Sequence, residues 1–262
     1  MSIKILCIGL LTSLASLSAH GANPYHFQTD QEFIYLGLGI GATAAGLAAD
    51  SQKAAPDRSS IAGQDRSHVP SLDRRVAGNW SDGARQRSDI ILVSTLLLPL
   101  SLPANGQIKL SELAMLYGET TLLTLGGVSL AKGLVDRSRP YTYGSSASDD
   151  RLYRADSNRS FFSGHAAHIA ASSVFFAKVY SDLEPESRYT IPIWVGAGLL
   201  SGYGGWLRME AGMHFPSDVA LGWVWGGLMG YWVPELHRTN RKVSVSPIVS
   251  PGQAGFTLRS QF

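Results

Sequence analysis

Residues 160–177 read SFFSGHAAHIAASSVFFA. From Ala166 to Ala177 this stretch carries no acidic or basic side chain other than His168, is rich in alanine, and is too long for a buried strand, so it reads as a helix. Ser163 stands where an N-cap belongs, which places the backbone amides of Gly164 and His165 at the helix N-terminus. Stretches of the same kind recur on both sides of it, at 33–49, 90–108, 120–131, 189–207 and 219–234. The pattern predicts an all-α fold, a bundle of about six core helices. No internal repeat is apparent.

Composition bounds the reading. The 262 residues suffice for one large domain or two small ones, and a hydrophobic content of 45% excludes disorder as the main description. Charged residues make up 16%, against roughly a quarter in soluble proteins, which inclines the chain toward apolar surroundings. A mean hydropathy of +0.04 is nevertheless low for a protein made mostly of membrane spans. The balance of 22 basic and 20 acidic residues is too even to predict nucleic-acid binding by counterion release.

The ends differ from the middle. Lys4 followed by Ile5–Leu14 and then by small residues reads as a signal peptide, residues 1–22, with cleavage after Ala19, Gly21 or Ala22. Its removal would take away Cys7, the single cysteine, and with it any disulfide or thiolate chemistry. A helical domain follows over 23–240, with an exposed polar excursion at 50–88. Alternation on either side of Pro251-Gly252-Gln253 predicts a short C-terminal β-hairpin within 241–262, packed on the bundle or on an edge.

Three short motifs bring charge to helix ends. They are Lys132-Gly-Leu-Val-Asp-Arg-Ser-Arg139-Pro140, then Phe162-Ser163-Gly164-His165, then Arg208 with His214 and Asp218. A phosphoryl group in transfer spreads negative charge over its equatorial oxygens, and fixed cations around one point stabilise it. Lys132, Arg139 and Arg208 can supply them, arginine through its planar fork and lysine as a compact charge. Taken singly, each would equally be a snorkelling cation at a helix end. Ser163 and Gly164 would add the anion-binding helix N-terminus. His165 in that first turn is positioned to give a proton to a leaving oxygen. Pro216 suits the first position of the last helix, so Asp218 falls in its first turn and can reach back to His214. A carboxylate on one imidazole nitrogen leaves the other free to attack, which makes His214 the candidate nucleophile. Arg137 reads as solvated or paired with Asp136, and His168 as a packing residue.

The order K-x6-R-P, S-G-H, R-x5-H-x3-D resembles the type 2 phosphatidic acid phosphatase superfamily, which also holds bacterial nonspecific acid phosphatases and vanadium haloperoxidases. The chain departs from the family pattern in having Phe162 where proline is usual and Leu207 where serine is usual, neither expected to touch phosphate. The resemblance implies a metal-independent phosphatase acting on phosphomonoesters, with lipid phosphate or isoprenyl pyrophosphate among the candidates. In it His214 forms a phosphohistidine and His165 protonates the leaving group, with Asp218 as the third catalytic residue. Lys132, Arg139, Ser163, Gly164 and Arg208 bind phosphate, and there is no cofactor and no metal. His20, His26, His68 and His237 show no metal-ligand spacing with carboxylates along the chain. The alternatives are a vanadium-dependent haloperoxidase, which would use the same cradle for vanadate, and a non-enzymatic envelope protein anchored by its hairpin. The export signal and the short, proline-broken second segment favour an exported bundle, soluble or surface-associated. An integral membrane protein is the competing placement.

Overall fold

Helix breakers and caps set the lengths of the six main helices. In the computed structural model, which describes residues 23–239, 243–250 and 253–260, these are α1 (Thr29–Asp50), α2 (Asp82–Leu97), α3 (Leu110–Leu134), α4 (Gly164–Leu183), α5 (Thr190–Glu210) and α6 (Pro216–Leu236). The expected signal peptide lies outside the described residues. Ser81 caps α2 by accepting from the amide of Ala84 at 3.2 Å. α2 ends earlier than the apolar run because Pro99 and Pro103 divert the chain into 3-10 turns over Leu98–Asn105. α3 starts ten residues before the apolar run does: the carboxylate of Glu112 accepts from the amide of Lys109 at 3.0 Å, and Glu119 is carried inside the helix, fully buried.

Two helix pairs approach backbone to backbone. Along α6, Gly222, Gly226 and Gly230 face Ser163, which caps α4, and Ala167 and Ala171 within it; a Cβ on Gly226 would lie 1.9 Å from the carbonyl oxygen of Ala167. Along α1, a Cβ on Gly46 would lie 2.2 Å from the backbone of Ser129 in α3. Small residues spaced by four allow such approach where large side chains would hold the axes apart. In both pairs the register rises together, so α1 runs parallel to α3 and α4 parallel to α6. The C-termini of α1, α3 and α5 therefore share one end of the bundle with the N-termini of α2, α4 and α6. Arg159 closes that end on Asp50 at 2.6 Å, and Lys53 donates to the carbonyls of Lys132 and Val135 at 2.7 and 2.8 Å.

The opposite end is filled by Tyr25, Ile108, Leu113, Leu116, Phe175 and Val179. The chain just before α1 is sewn there to the chain after α6: the amide of His26 donates to His237 at 2.7 Å, and that of Thr239 to Pro24 at 2.9 Å. The polar excursion is only partly exposed. Val69, Asp73, Val76 and Ala77 are buried, and the apolar three pack with Phe215 beneath the start of α6.

The fold class needs correction. The folded unit is all-helical, and the C-terminal β-hairpin expected to complete it is not seen as part of it. Val243–Ser250 and Gln253–Ser260 form an antiparallel ladder with each other alone. Among the described residues, neither strand shares an extended contact with a helix.

The outer surface is apolar. Three segments, Thr29–Asp50, Asp82–Ala104 and Leu110–Leu134, are long and apolar enough to cross a membrane. Leu38, Ile40, Ile191, Val195, Leu199 and Val224 are more than half exposed. Isolated apolar side chains on a surface are ordinary, but a girdle over several helices marks an apolar environment or partner. The bundle thus has the surface of a membrane-associated protein.

Candidate active site

The end of the bundle where α3 and α5 finish and α2, α4 and α6 begin encloses a cavity of about 330 Å³. Lys132, Arg139, Gly164, His165, Arg208 and His214, all from the three sequence motifs, line it. Arg85, Asp89, Arg151, Asp156 and Met213 line it too, and none of these is in a motif. Five basic side chains therefore face two carboxylates, an excess that suits an anion.

The basic groups are held differently. Arg139, buried where the chain leaves α3, donates from Nε to the carbonyl of Asp156 at 2.8 Å, from Nη2 to its carboxylate at 2.7 Å and from Nη1 to the carbonyl of Met213 at 3.1 Å. That web fixes the plane of its fork. Burial alone would raise the pKa of Asp156, but Arg139 and Lys132 beside it hold the carboxyl below its ordinary value. Arg208, in the last turn of α5, donates to Ser88 Oγ at 3.0 Å, while its buried Nε has no hydrogen-bond partner. The buried Nε atoms of Arg85 and Arg151 lack partners as well. Buried donors without acceptors are costly, and an oxyanion supplies what they lack.

The helix N-terminus forms as its sequence implies. Ser163 Oγ accepts from the amide of Ala166 at 3.3 Å, so this hydroxyl caps α4 and does not line the cavity. His165 Nε2 lies 2.8 Å from Asp89 Oδ1, a carboxylate delivered by α2. His168 lies outside the cavity lining, as do the two departures from the motif pattern, Phe162 and Leu207.

His214 is almost wholly buried in the loop between α5 and α6. Its Nδ1 stands 2.6 Å from the carbonyl oxygen of Ser160. A carbonyl only accepts, so Nδ1 carries the hydrogen and Nε2 keeps its lone pair. Burial, followed by the charges of Arg139, Arg208 and Lys132, pushes the pKa of this imidazole well below its ordinary value and keeps it neutral.

The expected carboxylate–imidazole hydrogen bond is replaced by another arrangement. Asp218 Oδ2 is 3.9 Å from His214 Nδ1, beyond hydrogen-bond range. It accepts instead from Ser160 Oγ at 2.6 Å and from the amide of Phe215 at 2.9 Å. Asp218 thus anchors both the loop bearing His214 and the residue whose carbonyl orients it. Arg137, expected to be solvated or paired with Asp136, forms ion pairs with Asp218 and with Asp73, the latter at 2.7 Å. Its guanidinium lies 4.5 Å from the centre of the Phe215 ring.

A family model described as the PAP2 superfamily matches residues 113–242. Residues 113–242 belong to the PAP2 superfamily. The matched PAP2 region begins in α3 and takes in Lys132, Arg139, Ser163, Gly164, His165, Arg208, His214 and Asp218. Arg85 and Asp89, which complete the cavity from α2, precede it, and the β-ladder follows it. Among solved structures, a transmembrane PAP2-type phosphatidylglycerolphosphate phosphatase from Bacillus subtilis aligns at 18% identity with a TM-score of 0.41, covering 79% of this chain and 94% of that one. No curated protein matches the chain.

Proposed function

We propose that the chain is a membrane-embedded phosphatase that hydrolyses phosphate monoesters of lipids through a phosphohistidine at His214. The observation that carries this is the buried, neutral His214, its Nδ1 committed to Ser160, inside a cavity with five basic side chains. Membership of the PAP2 superfamily supports the reaction class.

The substrate phosphate enters the cationic cavity, where Lys132, Arg139 and Arg208 neutralise its oxygens and the amides of Gly164 and His165 add the helix N-terminus. Nε2 of His214 attacks phosphorus, forming an N–P bond as the P–O ester bond breaks. The proton on His165 passes to the leaving alkoxide. Asp89 accepts from His165 and offsets part of the opposition of burial and Arg208 to the imidazolium that this step needs. Water then attacks phosphorus, gives a proton back to His165 and breaks the N–P bond, releasing inorganic phosphate.

The lipid substrate class rests on the apolar girdle. Exposed Tyr189, just before α5, and Trp206 near its end stand 17 residues apart, about 25 Å along a helix, which is close to the thickness of a hydrocarbon core. Aromatic residues favour both membrane interfaces, and Trp206 marks the level of the phosphate cavity. An acyl or isoprenyl chain would then lie along the bundle while its head group enters the site.

In detergent, the full-length His214→Ala variant is expected to release no phosphate from a short-chain phosphatidate while keeping its helical circular dichroism. Phosphate release by that folded variant, or failure to trap an acid-labile phosphoenzyme with the unsubstituted protein, overturns the mechanism. A soluble monoester hydrolysed as efficiently as the lipid overturns the substrate class alone.

A further inference from the structure

At the end of the bundle away from the phosphate cavity, three side chains from remote parts of the chain meet. Glu32 in the first turn of α1, Glu119 in α3 and His237 just after α6 each offer an atom, and these atoms lie within 4.8 Å of one another. His237 Nε2 is 3.0 Å from Glu32 Oε2 and 3.3 Å from Glu119 Oε2. All three residues are buried, with relative exposures of 6%, 0% and 3% for Glu32, Glu119 and His237. The spacing of histidines and acids along the chain gave no hint of this, since Glu32 and His237 are 205 positions apart.

Two details distinguish this group from an ordinary ion pair. His237 Nδ1 lies 2.8 Å from the carbonyl oxygen of Val233, which accepts its hydrogen and turns the Nε2 lone pair toward the carboxylates. That is the arrangement by which a metal-bound imidazole is commonly oriented. Neither carboxylate oxygen of Glu119 has a hydrogen-bond partner outside this group of three, although the side chain is entirely buried. Among the described residues, no lysine or arginine is within ion-pair distance of Glu32 or Glu119; Lys178 and Arg238 nearby are taken up by Asp182 and Glu235.

We infer that Glu32, Glu119 and His237 form a binding site for a divalent transition-metal ion of the zinc type, which clasps α1, α3 and the end of α6. Two carboxylate ligands and one imidazole ligand match the donor set such an ion takes, and its charge lets both acids bind it ionised. A tetrahedral ion about 2.0–2.2 Å from each ligand has ligand–ligand edges of about 3.3–3.6 Å. The observed separations of 3.0 and 3.3 Å reach that range with small adjustment. Water completes the fourth position. Phe27 and Tyr35, with ring centres 5.4 and 5.8 Å from that of His237, enclose the imidazole. The ion is structural, because the far end of α6 lies about 30 Å from the phosphate cavity, 21 helical residues away.

The test uses the full-length protein, purified in detergent through a tag without histidine from zinc-supplemented cells. Elemental analysis is expected to find about one zinc per chain, unchanged in His214→Ala. Glu119→Gln and His237→Gln are expected to lower the content about fivefold or more. Chelation should lower the Tm, and ZnCl2 should restore it. Cobalt added to the chelated, unsubstituted protein should give visible ligand-field bands, which decides the matter even if both variants misfold. Less than about a tenth of an equivalent of zinc, with no response of Tm or spectrum to added metal, overturns the site.

Discussion

The imidazole of His214 is oriented by a backbone carbonyl, and the acid four residues on shapes the loop around it. A backbone acceptor neither titrates nor can be removed by substitution, so Nδ1 stays protonated across the working pH range. Because burial and three neighbouring cations depress its pKa, the free site keeps His214 as a neutral nucleophile below pH 6.5. The acid limb of kcat/KM that belongs to this residue is therefore expected below pH 6.5, as a pH–rate profile would show; a limb at or above that value speaks against the assignment. Asp89 is the second residue of consequence. Asp89→Asn removes the charge that favours protonated His165 and is expected to lower kcat about 10- to 100-fold with KM little changed, measured on a lipid phosphate in micelles. Lys132, Arg139, His165, Arg208 and His214 were legible in the sequence because their chemistry sits in short, fixed spacings. Asp89 and Arg137 were not, since Asp89 reaches the site from a separate helix and Arg137 finds Asp73 and Asp218 across 64 and 81 positions.

At the level of elements, the site depends on how closely α4 and α6 approach. Ser163 donates its amide to the carbonyl of Asp218 at 3.1 Å, joining the two helix starts that carry His165 and follow His214. The glycine stripe of α6 sets that distance. Gly226→Val would drive a side chain into the Ala167 backbone, and overpacking of this kind costs about 1–3 kcal/mol or more. The variant is expected to melt several degrees lower and to lose activity beyond what its unfolded fraction explains, checked by Tm and kcat on the same sample. Apolar runs announced all six long helices, yet boundaries shifted where capping and proline outweighed hydrophobicity, at Glu112 and at Pro99. The buried part of the excursion around Asp73 escaped notice because its apolar residues are few and irregularly spaced, and their burial depends on Phe215.

At the scale of the whole molecule, the bundle is a unit with which the β-ladder shares no extended contact among the described residues. Truncation after Asn240 is expected to leave kcat/KM within about twofold and the Tm unchanged, while the shortened chain stays with the membrane pellet on carbonate extraction; release into the supernatant would give the ladder an anchoring role. Composition alone left the placement open, because mean hydropathy averages a polar interior end with an apolar outside. The arrangement of exposed side chains resolves what the average conceals: the charges gather at the two ends, and the girdle between them is apolar. With every phosphate-binding group at one end of six alternating helices, the enzyme proposed here meets lipids of one leaflet only. Substrate in the other leaflet is invisible to it until something carries it across. Hydrolysis would thus make the two leaflets chemically unequal, and the supply from the far side, set by lipid transfer, would govern how long the reaction continues.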